Sequence, residues 1–125
     1  MWDGFDKRKF PRLRLQCEIV IEPPDANTPP IRAVTENVGE GGVCIIQDKP
    51  LERFSRCHLR LELDKDLPRI ECAGKVVWNI PHREPLGREN KFDTGIEFLE
   101  MKPEDREKIR SFIQSILPKG FRQIS

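Results

Sequence analysis

Two-residue alternation of apolar and polar positions dominates the first four-fifths of this chain. Leu13, Leu15, Cys17, Ile19 and Ile21 alternate with Arg14, Gln16, Glu18, Val20 and Glu22, which predicts one half-buried strand with a wet face. The stretch from Pro23 to Pro30 holds four prolines and reads as a stiff loop. A second strand is expected from Ile31 to about Val38 and a third from Gly42 to Gln47. Between them lies Gly39-Glu40-Gly41-Gly42, a turn able to take positive φ. Cys57, Leu59, Leu61 and Leu63 alternate with His58, Arg60 and Glu62 to give a fourth strand. Arg69 to Asn79 is a longer, more apolar fifth, and Phe92 to Leu99 a sixth. Pro81 to Lys91 reads as an exposed loop.

From Pro103 the period changes. Pro103 suits a first helical turn, and Glu104 and Asp105 complement the positive end of the helix dipole. Ile109, Phe112, Ile113 and Ile116 then form one apolar stripe, and Pro118 and Gly120 end the helix. Six short strands and a final helix predict an all-β domain with a C-terminal helix, built as a small antiparallel barrel or sandwich. The helical stripe is expected to cover an open end of that barrel. The chain divides into a flexible basic arm (1–12), the folded body (13–118) and a tail (119–125).

Composition sharpens this picture. The 125 residues suit one domain, and 22 Lys+Arg against 21 Asp+Glu leave a net charge of +1. That balance argues against a coat for long nucleic acid, which needs a broadly cationic surface. No run resembles an export signal or a membrane span, so a cytoplasmic protein without membrane insertion is expected. Cys17, Cys44, Cys57 and Cys72 are far apart and lack any CxxC pairing, so they read as small buried apolar residues of a reducing compartment. Enzyme signatures are missing too. His58 falls on the polar side of its strand, and His82 sits in a proline-rich loop with nothing obvious to orient it. No metal site or nucleophile motif is present. The chain is expected not to be an enzyme, and to need no cofactor.

The charges are unevenly placed. Residues 1–15 carry five cations and two acids, so a short basic arm precedes a body of net −2. Within it, Lys7-Arg8-Lys9-Phe10-Pro11-Arg12 presents two arginines four residues apart, stiffened by Pro11. Arginine offers a planar fork that grips phosphate, reads the guanine edge and stacks on bases. Two forks so close suit a compact anionic guanine nucleotide better than a long duplex.

Arg8 to Arg12 fits an RxxxR element, and Asn37-Val38-Gly39-Glu40-Gly41-Gly42 fits most of a (D/N)xSxxG element. Together they resemble the PilZ family of bacterial cyclic di-GMP receptors. Ala73-Gly74-Lys75-Val76-Val77-Trp78 and Thr94-Gly95-Ile96-Glu97-Phe98-Leu99 are similar to that family's fifth and sixth strands, and the similarity runs over about residues 5 to 117. The resemblance implies a six-stranded antiparallel barrel. It also implies that Arg8 and Arg12 clamp the phosphates and guanine faces of cyclic di-GMP. Asn37 would hydrogen-bond a guanine, and Gly42 would let the backbone approach. Lys7 could add a phosphate contact. Gly39 stands where the family has serine, so one hydroxyl contact is missing. The expected function is a receptor, monomeric or homodimeric, that signals to an unknown downstream protein when its arm orders on the ligand. Two other readings stand beside it: an adaptor of motility or pilus assembly that no longer binds nucleotide, and a barrel for single-stranded nucleic acid. The last would need exposed stacking aromatics.

Overall fold

The computed structural model describes residues 12, 13, 15–25, 27–82 and 91–116. Seven strands and one helix are assigned there: β1 (Arg12–Leu13), β2 (Glu18–Glu22), β3 (Ile31–Gly39), β4 (Gly42–Gln47), β5 (Arg56–Glu62), β6 (Ile70–Pro81), β7 (Phe92–Leu99) and α1 (Pro103–Ile116). All pairings are antiparallel. β3, β2, β5, β6, β7 and β4 follow one another round the sheet, and β4 returns to β3, closing a six-stranded barrel. β1 pairs with the far end of β3, beyond β2.

Alternation in the sequence translates into an apolar interior. Ile19, Ile21, Val43, Ile45, Leu59, Leu61 and Ile96 are all at most 1% exposed. Residues between them along the same strands face out, because successive strand side chains point to opposite faces. α1 adds Ile109 and Ile113 to the same core, with Phe112 packed against it. Ile116, the last residue of the predicted stripe, departs from it and is exposed. Among the described residues, no helix is long and apolar enough to cross a membrane.

The first predicted strand is not continuous. β1 and β2 both run along β3, but the register slips by one residue between Leu13↔Val38 and Glu18↔Val34. Thr35 holds the slip together. Its hydroxyl accepts from the Cys17 amide at 2.8 Å and donates to the Leu15 carbonyl at 2.6 Å. Alternation alone cannot reveal such a break, because the residues on both sides still read apolar-in. Thr35 is 1% exposed, so Thr35→Val keeps the shape while stranding two backbone groups. Each stranded group costs about 1–3 kcal/mol, so the urea midpoint should fall markedly. A midpoint unchanged from the native chain would show that the hydroxyl does not hold the break.

All four cysteines are free thiols. Burial pushes the Cys57 thiol up to about 11 and the Cys72 thiol up to about 12, with Cys57 adding to the effect on Cys72. An unfolded thiol ionises near 9.0. The stability these neutral thiols contribute is therefore complete below pH 9 and is lost as pH rises toward 11 and 12. At pH 8 the folded protein should leave Cys57 and Cys72 unmodified by iodoacetamide, and denaturant should expose both; mass spectrometry reads the outcome.

Candidate functional site

The two sequence motifs meet at the end of β3. Arg12 pairs with Gly39 and Leu13 with Val38, so the second arginine of RxxxR is tied by its backbone to the glycine turn. Lys7 and Arg8, with the rest of the arm and the tail from 119, lie outside the described residues. The expected border between arm and body, after residue 12, falls inside β1.

Close approach of a neighbouring strand constrains the turn at Gly42. Neither Gly41 nor Gly42 uses the positive φ open to it. Gly42 is constrained differently: a Cβ there would lie 2.3 Å from the Ile96 carbonyl oxygen of β7. Its bare face is turned to a neighbouring strand. The Phe98 amide donates to the Gly41 carbonyl at 2.9 Å, fixing the turn onto the end of β7. Glu40 is 3% exposed, and its carboxylate accepts from Arg110 of α1 at 3.1 and 3.2 Å.

Two bulges shape the outer wall beside this turn. Glu36 is the extra residue of β3 opposite β4, and Val77 the extra residue of β6 opposite β7. The first bulge sets Asn37 opposite Cys44, which is opposite Gly95, which is opposite Trp78. Val43, Ile45 and Ile96, the neighbours along β4 and β7, face the core, so this row faces out. Strict alternation along β6 would have turned Trp78 inward with Val76; the bulge turns it outward. The indole lies over Gly95, where a Cβ would come within 2.3 Å of its ring nitrogen. A short loop clamps the bulge: the Phe54 amide donates to the Val76 carbonyl, and Arg53 Nε donates to the Val77 carbonyl at 3.1 Å.

Asn37 carries the most informative atom of this wall. Its Oδ1 is buried and has no hydrogen-bond partner among the described residues. A buried amide oxygen without a donor costs about 1–3 kcal/mol, so its retention calls for an explanation. Asn37, Gly39 and Gly42 are brought together with the backbone of Arg12. The sequence reading missed Trp78 and Gly95 as parts of the wall, and Glu40 and Arg110 as its brace. An aromatic followed some residues later by a bare glycine was the available signal for the first pair. Nothing local marks the second.

The other candidates sort themselves out. His58 is exposed and sits 3.1 Å from Glu71. His82 needs correcting: its Nδ1 lies 2.7 Å from Asp93, and its amide donates to the Lys91 carbonyl at 2.8 Å, so the pairing of β6 with β7 orients it. No group of three or more His, Cys, Asp and Glu among the described residues could hold a metal ion. A cleft of about 490 Å³ opens at the far end of β2, lined by Pro23, Pro24, Pro30, Cys57 and His58. It is remote from the Gly39 turn.

These elements define a closed six-stranded barrel capped by a helix, with Arg12 paired to the glycine turn at the end of β3. The chain belongs to the PilZ domain family, whose model matches residues 6–115. Among solved structures it is similar to MotI/DgrA, the inhibitor of motility of Bacillus subtilis (TM-score 0.72, 20% identity, 90% of this chain and 52% of that one). It is similar to the PilZ domain of Escherichia coli YcgR with c-di-GMP (TM-score 0.70, 11% identity, 88% and 91%). It is also similar to the K. pneumonia MrkH–c-di-GMP complex (TM-score 0.73, 16% identity, 93% and 54%). This chain spans about half the length of MotI/DgrA and MrkH and nearly all of the YcgR domain. No curated protein sequence matches it.

Proposed function

We propose that this chain is a cyclic di-GMP receptor that reports ligand occupancy to a protein partner in the cytoplasm. The observation that carries the reading is the pairing of Arg12 with Gly39, which ties the arginine motif to the glycine turn beside an Asn37 oxygen that has no partner among the described residues. A guanine ring N–H is a donor suited to that oxygen, and the phosphates suit Arg8, Arg12 and Lys7. The ligand draws the arm's guanidiniums onto the outer wall, and the ordered arm presents a surface that the free protein lacks. YcgR and MrkH, both similar in fold, are solved with c-di-GMP, and MotI/DgrA is an inhibitor of motility, which favours motility or biofilm control as the process served.

Gly39 favours a second reading. The missing serine hydroxyl removes one neutral hydrogen bond, worth about 0.5–1.5 kcal/mol net, and an adaptor that works by protein contact alone would tolerate the loss. Two retained arginines favour the receptor. Titration calorimetry separates the two: the receptor gives a saturable heat with cyclic di-GMP and none with GMP. A folded protein that gives no heat with cyclic di-GMP is the adaptor.

A further inference from the structure

The turn that carries Asn37, Gly39 and Gly42 is held on three sides. Two of the holds are backbone hydrogen bonding that many sequences could make: β1 on Gly39, and the Phe98 amide on the Gly41 carbonyl. The third is specified by side chains and spans 70 positions of sequence. Arg110 of α1 reaches the turn, and its Nε and one terminal nitrogen each donate to a different oxygen of Glu40. Glu40 is 3% exposed, and Arg110 is its sole partner among the described residues. The other terminal nitrogen of Arg110 donates to Glu107 of the same helix at 2.8 Å, which aims the guanidinium. Ile109 and Ile113, on either side of Arg110, are at most 1% exposed, so α1 cannot slide without opening the core.

A carboxylate removed from water needs its partner, and taking the partner away leaves a charge that the site cannot keep where it is. Glu40 is one residue from Gly39 and three from Asn37. Any displacement of the turn is therefore felt at Arg110, and any displacement of α1 is felt at the turn.

We propose that Arg110 is a positioning residue for the ligand turn, and that through Glu40 it couples cyclic di-GMP binding to the order of α1. The helix is then the element through which occupancy of the outer wall is read at the barrel's end. The inference rests on the receptor reading given above. Coupling of this kind is reciprocal: if the ligand steadies the helix, loosening the helix weakens the ligand by the same factor.

The test uses the full chain and cyclic di-GMP itself, with calorimetry for affinity and amide hydrogen exchange for residues 103–116. In the native chain, saturating ligand should slow exchange across α1. Arg110→Gln should weaken binding by about fivefold or more, within the usual range of coupling between sites, and should abolish the ligand-dependent slowing in α1. Adding Glu40→Gln to that variant removes the stranded charge and should recover part of the affinity, without restoring the ligand-dependent slowing in α1. Arg110→Lys keeps the charge without the fork and should fall between; it carries the test if Arg110→Gln does not fold. Unchanged affinity together with unchanged α1 protection in Arg110→Gln, or in Arg110→Lys if that variant carries the test, overturns the coupling. A merely structural role would lower stability and leave the response of α1 to ligand intact. A native chain that binds no cyclic di-GMP overturns the receptor reading first, and the coupling with it.

Discussion

Arg12→Ala is expected to abolish or strongly reduce the calorimetric signal of cyclic di-GMP while leaving the melting curve of the free protein nearly unchanged. The two halves of that result have separate causes. Arg12 joins the barrel through its backbone, paired with Gly39, and alanine can make the same pairing. What disappears is the guanidinium. Hydrogen bonds to charged groups contribute about 1.5–3 kcal/mol each, so loss of one to two such contacts weakens binding by roughly tenfold to more than a thousandfold. Arg8→Ala should behave alike. Arg12→Lys should restore little, because an ammonium cannot reproduce a planar fork on phosphate or guanine. Full-strength binding in both alanine variants would move the ligand away from the RxxxR segment.

Gly42→Ala should destabilise the fold strongly. The added carbon would come within 2.3 Å of the Ile96 carbonyl oxygen and 3.2 Å of the Glu97 Cα, all backbone of β7. No rotamer change relieves a clash with backbone, so β4 and β7 must part along a ladder that runs from Gly42↔Glu97 to Gln47↔Phe92. Overpacking of this kind costs about 1–3 kcal/mol and occasionally more, and an obstacle made entirely of strand backbone places it at the upper end. Gly41→Ala is the control. A Cβ there meets nothing within 4 Å and the residue does not use positive φ, so its stability should stay within a few tenths of the native value. Urea midpoints of the two variants give the comparison. Equal midpoints would mean that β7 yields at Ile96 without penalty.

The Gly42 result also bears on how the site is read. The family resemblance assigns this glycine to ligand approach, whereas its bare face in the fold meets the carbonyl of Ile96. Both demands can hold for one residue, but only the second is visible without ligand. A loss of affinity in Gly42→Ala is therefore informative only when the folded fraction is measured alongside.

Much of the architecture was legible because local pattern and tertiary environment agree. Gly42–Gln47 and Phe92–Leu99 appear with the bounds read from alternation, and the helix begins at Pro103 as read. Arg8, Arg12, Asn37, Gly39 and Gly42 were singled out by motif, and the fold ties the turn residues to the Arg12 backbone. The misreadings share a cause. The first strand was read as continuous because the apolar alternation of the sequence runs unbroken through a register slip held by Thr35. His82 was left without an orienting group because its partner, Asp93, lies across the β6–β7 pairing. Trp78 was not singled out for the outer wall, because the bulge at Val77 that turns it outward, clamped from the 53–55 loop, leaves no mark in the local pattern.

By itself, then, the sequence determined the succession of strands, the capping helix, the composition of the core and the gathering of positive charge ahead of the barrel. Each of these follows from burial free energy acting on a period of two or 3.6 residues, which is written in neighbouring positions. Only the tertiary structure decided where the strands break register, which side chains share the outer wall, and that Glu40 finds its partner 70 positions away in Arg110. Those outcomes depend on which strand lies beside which and on the satisfaction of buried polar groups. Both are settled by contacts between distant segments, for which a single sequence carries no local period.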